Sequence, residues 1–209
     1  MPSALHPPRP VYPVAAIRAI EAIAIPGAEP PLMERAGAAA AALALPGLGP
    51  LPAAVLVACG PGNNGGDGFV LARHLRAAGH PVRVAFAGSP ERLPADARDA
   101  HDAWLACGGE TLSELPPPPD EGWALVVDAL FGIGLQRPLE GRYADWIATL
   151  NAQDCPRLAL DIPSGLDADT GRSLGACFAA TRTLTFIALK PGLLTLDGPD
   201  HCGQIEVAS

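Results

Sequence analysis

Apolar and polar positions along the chain fall into short apolar runs separated by longer amphipathic stretches. The runs AAVLVA (53–58), PVRVAFA (81–87), ALVVDALF (124–131), RLALDI (157–162) and QIEVA (204–208) predict strands, and TRTLTFIALK (181–190) holds another. Helical spacing lies between them. One helix is predicted from Asp67 to Ala78, ended by Gly79 as a C-cap, and another from Arg142 to Asn151. A third starts at Pro94, carries Ala97, Ala100, Trp104 and Cys107, and stops before Gly108-Gly109. Two more precede the first strand. Pro13 opens one with Val14, Ile17, Ile20 and Ile23 on one face, and Pro30-Pro31 lead into LMERAGAAAAALAL (32–45). The alanine run there favours a helix but offers a thin packing surface. Residues 1–13 form a proline-rich segment expected to be loosely ordered, and PPPP at 116–119 reads as a surface loop.

Apolar strands alternating with helices imply a mostly parallel sheet covered on both faces, a three-layer αβα sandwich of the α/β class. No repeat or second domain is evident, so 14–209 reads as one domain behind the segment 1–13.

Composition narrows the function classes. The 209 residues are 49% hydrophobic and 17% charged, which fits a globule with a buried sheet. A net charge of −8 with scattered basic residues speaks against a nucleic-acid partner, because phosphate neutralisation needs clustered Lys and Arg. Five cysteines, an odd number without CxxC spacing, point to reduced thiols and a cytoplasmic location. No basic-then-apolar leader and no run of eighteen apolar residues is present, so neither a signal peptide nor a membrane span is expected. The chain stops directly after its last predicted strand, which fits either a terminal edge strand or a piece of a longer polypeptide.

In a doubly wound sheet, ligands bind outside the carboxyl ends of the strands, and three polar sequences fall there. The first is GPGNNGGDG (60–68). A glycine-rich bend before a helix offers backbone N–H groups to an anion, but Asn63, Asn64 and Asp67 exceed what a phosphate cradle needs. The second follows Asp128, with Gly132 and Gly134 in the bend. The third is LALDIPSGLDADTG (158–171), where Asp161 ends an apolar strand. Lys190 in ALKPG is a weaker fourth. Taken singly, the glycine loop could be a tight turn, and Asp128 and Asp161 could be turn caps; Asp167 and Asp169 read as solvated turn residues. Placement of three clusters on one rim favours a site. Known nucleotide motifs match only in part. Gly60, Gly62 and Gly65 carry the dinucleotide glycine spacing, but no acid ends the next strand, and no lysine follows the glycines as a P-loop requires. The five histidines show no paired ligand spacing. The Asn64 amide, the Asp128 carboxylate and the Ser164 hydroxyl are hard oxygen ligands, and one carboxylate among neutral oxygens suits a large monovalent cation.

The segments GPGNNGGDGFVLARHL, VVDALFGIGL, LALDIPSGLDADTG and LTFIALKPGLLT, with LMERAG at 32–37, resemble in order the signatures of the NAD(P)H-hydrate epimerase family (YjeF N-terminal domain). The resemblance spans residues 14–207. It implies a Rossmann-like fold, a bound potassium ion (K+), and interconversion of the R and S epimers of NADHX and NADPHX at the hydrated C6. It also implies site roles. Asn63, Asn64, Gly65, Gly66 and Asp67 would contact substrate, and Asn64, Asp128 and Ser164 would hold K+. Gly132, Ile133, Gly134, Leu135, Gln136, Arg137 and Pro138 would hold phosphates, and Asp161 would bind the hydrated nicotinamide and act as the acid/base, with Asp67 or Lys190 assisting. Many members carry Thr where Ile133 stands, so contact there would come from backbone N–H. The family also implies a partner, an ADP- or ATP-dependent dehydratase acting on the S form, which in some members is fused to this domain. A truncated bifunctional parent would explain the abrupt end. The alanine-rich face of 32–45 would permit close packing in a homodimer. The rival reading is a non-catalytic nucleotide-binding or scaffold module of the same fold, which would not need the full polar set. An oxidoreductase using intact NAD(P) is disfavoured by the missing ribose-binding acid at the end of the next strand.

Overall fold

A computed structural model describes residues 9–208. Seven strands form one sheet: β1 Val55–Cys59, β2 Val82–Phe86, β3 Thr111–Leu112, β4 Leu125–Ala129, β5 Arg157–Leu160, β6 Arg182–Phe186 and β7 Gln204–Ala208. Their order is β3-β2-β1-β4-β5-β6-β7, and every neighbouring pair is parallel. The chain winds outward from β1 in one direction and from β4 in the other, which opens a crevice between the carboxyl ends of those two strands.

The helices are α1 Val14–Ala24, α2 Leu32–Ala44, α3 Asn63–Ala77, α4 Ala95–Ala106, α5 Arg142–Asn151 and α6 Gly198–Cys202. One sheet face, carrying Val55, Val57, Cys59, Val84, Val127 and Leu160, packs on Ala40, Phe69, Leu71, Leu75 and Trp104 from α2, α3 and α4. The other, carrying Leu56, Ala58, Val126 and Ala159, packs on Trp146, Ile147 and Leu150 of α5 and on Phe178. Both faces are therefore apolar, which is why the strands read as continuous hydrophobic runs rather than alternating ones. The two-residue β3 and the five-residue α6 escaped the sequence reading because neither is long enough to display a period.

Three expectations change. Helix α3 begins at Asn63, four residues before the predicted start, because Gly62 is extended and the chain turns helical directly after it. Glycines disfavour a helix start by propensity, but packing overrides this. A Cβ at Gly65 would collide with the Gly60 carbonyl, and one at Gly66 with Met33. Second, α1 does not bury all four of its apolar residues. Ile17 is 1% exposed and Ile23 is 83% exposed, since only the Ile17 side of the helix is covered. Third, the loosely ordered segment ends earlier than expected. Residues 1–8 lie outside the described residues, but Tyr12 N–H donates to the Leu189 carbonyl at 2.8 Å and Leu189 N–H to that of Pro10 at 3.2 Å.

The alanine-rich face of α2 is also occupied. Gly37, Ala40, Ala41 and Ala44 are buried, and a Cβ on Gly37 would strike Val70 of α3. The thin face serves close packing inside the chain. No helix of the described residues is long and apolar enough to cross a membrane.

Candidate active site

The strand ends supply the site. Asp128 is the fourth residue of β4 and is flanked in the sheet by Ala58 of β1 and Ala159 of β5. Those small neighbours leave room for two loops to fold over the carboxylate. Leu130 N–H donates to Asp128 Oδ1 at 3.1 Å, Ser164 N–H to Oδ2 at 2.7 Å, and Ser164 Oγ to Oδ1 at 2.7 Å. Ser164 Oγ also accepts from Phe131 N–H at 2.8 Å. Asp128 is fully buried, and burial pushes its carboxyl up to about 6, against the pull of the Ser164 and Leu130 hydrogen bonds. This knot ties the loop after β4 to the loop after β5.

Above it, Asp161 and Lys190 converge from neighbouring strands. Asp161 follows β5 with φ of 67°, and Ile162 N–H donates back to the Leu160 carbonyl at 2.8 Å. Ile187 follows β6 with φ of 69°, and Ala188 N–H donates to the Phe186 carbonyl at 2.7 Å. Both are three-residue turns at positive φ, a strained backbone that side chains seldom adopt and that clusters at functional sites. They turn Asp161 inward and bring Lys190 back over its own strand. Lys190 Nζ donates to Asp161 Oδ1 at 2.6 Å, to Thr185 Oγ1 at 2.7 Å and to the Phe186 carbonyl at 2.9 Å. All three ammonium protons are satisfied, as a fully buried lysine requires. Asp161 Oδ2 accepts from Ile133 N–H at 3.0 Å. That amide therefore holds the carboxylate and is not free for a phosphate.

These groups open onto a cleft of about 380 Å³ at the crevice between β1 and β4, a size suited to a small-molecule ligand. Asn63, Asn64, Asp67, Gly132, Ile133, Gly134, Leu135, Asp161 and Lys190 all line it. Gly65 and Gly66 are buried in the first turn of α3, and Asp128 and Ser164 are buried behind the lining. Gln136, Arg137 and Pro138 are exposed and lie outside it. Asn64 is 8% exposed, yet neither atom of its amide has a hydrogen-bond partner. Buried amides are nearly always paired, so this one is shaped for something that enters the cleft. Gly132 is required opposite it, since a Cβ there would stand 2.7 Å from Asp161 Oδ2 and 3.5 Å from Asn64 Cγ.

The sequence predicts α1 but not its place in the site. Ile17, Arg18 and Glu21 line the same cleft, and Glu21 borders an adjoining recess of about 190 Å³ together with Asn63, Asp67 and Phe186. No local signal marks Glu21, a solitary acid on an amphipathic helix. Burial, then the Asp161 carboxylate, raise its carboxyl, while Lys190 and Arg18 pull it down less strongly. Desolvation, then Asp161 and Glu21, hold Asp67 well above the usual carboxylate range.

Comparison with known proteins identifies this arrangement. The model of the YjeF-related protein N-terminus matches residues 29–192. The chain belongs to the YjeF-related N-terminal family. The segments that carried the sequence resemblance are thus the ones that build the cleft. An NAD(P)H-hydrate epimerase of Achromobacter xylosoxidans is 49% identical over 178 residues, covering 84% of each chain. A protein of the same name from Bordetella pertussis is 46% identical, covering 83% of this chain and 76% of that one. The bifunctional NAD(P)H-hydrate repair enzyme of Leishmania major is 46% identical over 157 residues, and the match spans 28% of its length. Among solved structures, yeast ynu0 superposes with a TM-score of 0.65 at 27% identity, over 77% of this chain and 72% of that one. The YjeF-related domain accordingly has the Rossmann-like, three-layer αβα architecture expected from the sequence, with a sheet that is parallel throughout.

Proposed function

We propose that this chain is an NAD(P)H-hydrate epimerase, an isomerase that interconverts the R and S forms of NADHX and NADPHX at C6 of the hydrated nicotinamide ring. The supporting observation is the joint convergence of Asp161, Lys190 and an unpartnered Asn64 in one cleft, in a family whose similar members bear that name. A scaffold has no use for a buried amide left without a partner. The ring nitrogen of the substrate expels the C6 hydroxyl once that group is protonated, and the planar iminium accepts water on either face. Asp161, fixed at both oxygens, is the acid/base beside C6. Gly132, Ile133, Gly134 and Leu135 border the substrate, and the uncapped first turn of α3 favours its phosphates.

Asn64, Asp128 and Ser164 fit a potassium ion. Asp128 is a fully buried carboxylate with no cation beside it among the described residues, and the Asn64 amide oxygen accepts no hydrogen bond, so its lone pairs are available. A bound K+ would offset the Asp128 charge and stiffen the loop at 130–133. The S epimer passes to an ADP- or ATP-dependent dehydratase, a link in keeping with the bifunctional Leishmania relative. A homodimer would use the end of α1, where Ile23 and Ile25 are exposed, rather than the occupied face of α2.

The test is to supply a mixture of NADHX epimers together with a purified S-specific dehydratase. Complete consumption of both epimers is expected. Consumption of the S form alone, beyond the spontaneous rate, would leave a scaffold.

A further inference from the structure

We infer that Glu21 of α1 is a second catalytic acid/base of this site, serving the face of the hydrated ring turned away from Asp161. The inference rests on the epimerase reading given above.

Epimerisation at C6 makes a demand that one carboxyl cannot meet. The hydroxyl leaves from one face of the ring, and water must be delivered to the other. Asp161 is pinned, with Lys190 Nζ 2.6 Å from one oxygen and Ile133 N–H 3.0 Å from the other. It cannot cross the ring between the two events. A second proton-carrying group must come from a different wall of the cleft, as paired carboxyls flank the reacting carbon in other two-faced reactions.

The titratable and charged groups lining the cleft are Arg18, Glu21, Asp67, Asp161 and Lys190. Lys190 spends its three protons on protein acceptors, and a guanidinium does not give up a proton. Glu21 and Asp67 remain. Neither carboxyl takes a hydrogen bond among the described residues, and both share the cleft with Asp161, whose charge raises them. Burial and the neighbouring Asp161 charge both favour the protonated form of these two carboxyls. Of the two, Glu21 has the longer side chain, and it stands on the one wall that does not descend from a strand end. The orientation of α1 points the same way. The helix leaves Ile23 in solvent while turning Ile17 and Glu21, one turn apart, toward the cleft. The unpartnered Asn64 amide in the same cleft is an independent sign that a polar ligand lies between these walls.

The chemistry balances without any further reactant. Glu21 gives its proton to the hydroxyl, the C6–O bond breaks, and water departs as the ring-nitrogen lone pair forms the C=N bond. Water then adds to C6 from the opposite face, its proton passes to Asp161, and the nitrogen regains its lone pair. The other epimer runs the same steps with the two carboxyls exchanged.

The groups that set the ionisation of Glu21 are Arg18 on its own helix, Asp67 of α3, and Asp161 and Lys190 from the strand ends; Arg35 of α2 and Asp96 of α4 border the adjoining recess. Separated R and S epimers should be followed in both directions with the unmodified chain, Glu21→Gln and Glu21→Ala. Glu21→Gln should lower kcat by about 100-fold or more, the scale of a lost acid/base, with KM within about threefold. It should also lose the limb of the pH profile on which activity falls as Glu21 surrenders its proton. Added formate should restore part of the activity of Glu21→Ala, which requires that variant to be folded. Glu21→Gln within about twofold of the unmodified rate, with an unaltered pH profile, would overturn the inference. So would a raised KM at unchanged kcat, which would leave Glu21 a binding role only. An unmodified chain that interconverts no epimer would instead overturn the functional reading, and this inference with it.

Discussion

Asp161 and Lys190 meet at 2.6 Å from the ends of adjacent strands, each brought there by a turn at positive φ, centred on Asp161 itself and on Ile187. The lysine is fully buried and the carboxylate nearly so, which makes the pair interdependent. Lys190→Met strands a carboxylate, and Asp161→Asn strands an ammonium; each should cost about 3 kcal/mol of stability, the scale of a broken buried pair. The double variant should recover most of that loss, because no charge is left unpaired. Epimerisation should be lost wherever Asp161 is replaced, including the stable double variant. Denaturant melts and epimer interconversion on the four proteins check both halves, and near-normal turnover in Asp161→Asn would remove it from the chemistry.

Gly132→Ala separates geometry from stability. The added methyl would sit 2.7 Å from Asp161 Oδ2, closer than real contacts allow, and Gly132 is partly exposed, so the loop can yield. The melting temperature should shift little. Interconversion should fall by about 100-fold, as expected when a reacting group is displaced by about an ångström.

Asn64→Leu should run opposite to most core substitutions. It removes two buried polar atoms that have no partner, so the protein free of substrate and potassium should gain about 1 kcal/mol. Activity should fall, and any dependence on potassium should vanish. A variant that is both less stable and fully active would contradict the role given to the amide.

Asp128 predicts a pH dependence with a definite sign. Its carboxyl titrates at about 6 in the folded protein against 3.8 as the ordinary value, so the native state holds the proton more tightly than the unfolded chain. Stability from this group is therefore highest at low pH and falls as pH rises from about 4 to about 6, by about 3 kcal/mol at most. Potassium chloride, compared with choline chloride at equal ionic strength, should restore much of it at neutral pH. Asp128→Asn should flatten the pH 4–6 slope and abolish the salt difference. Melting curves across pH in the two salts measure this directly.

Ile23→Lys combined with Ile25→Lys tests the assembly. Both positions are exposed, at 83% and 51%, so the fold should be unaffected. Sedimentation should show a dimer for the unmodified chain and a monomer for the variant. A dimer in both would move the interface elsewhere.

Much of the site was legible in the sequence because strand ends are local features. Asp128 and Asp161 each close an apolar run, and Asn63, Asn64 and Asp67 sit in one glycine-rich segment. The start of α3 was misplaced because glycine propensity argued against a helix, while the Gly60 carbonyl and Met33 leave space for nothing larger. Lys190 looked weak for a different reason. Its place depends on the turn at Ile187, and a β-branched residue at positive φ has no sequence signature.

The sequence by itself determined the order of the longer strands and helices, a mostly parallel sheet buried on both faces, and which residues stand at the strand ends. Those follow from apolar period and run length, which act over a few neighbours along the chain. Only the tertiary structure decided that Asp161 is ion-paired to Lys190, that Ser164 and not solvent satisfies Asp128, that the alanines of α2 are spent against α3, and that α1 brings Glu21 to the cleft. Each of these joins residues far apart in the chain, and the energy that selects them, the cost of leaving a charge or a polar atom unpaired away from water, exists only once the surrounding elements have packed.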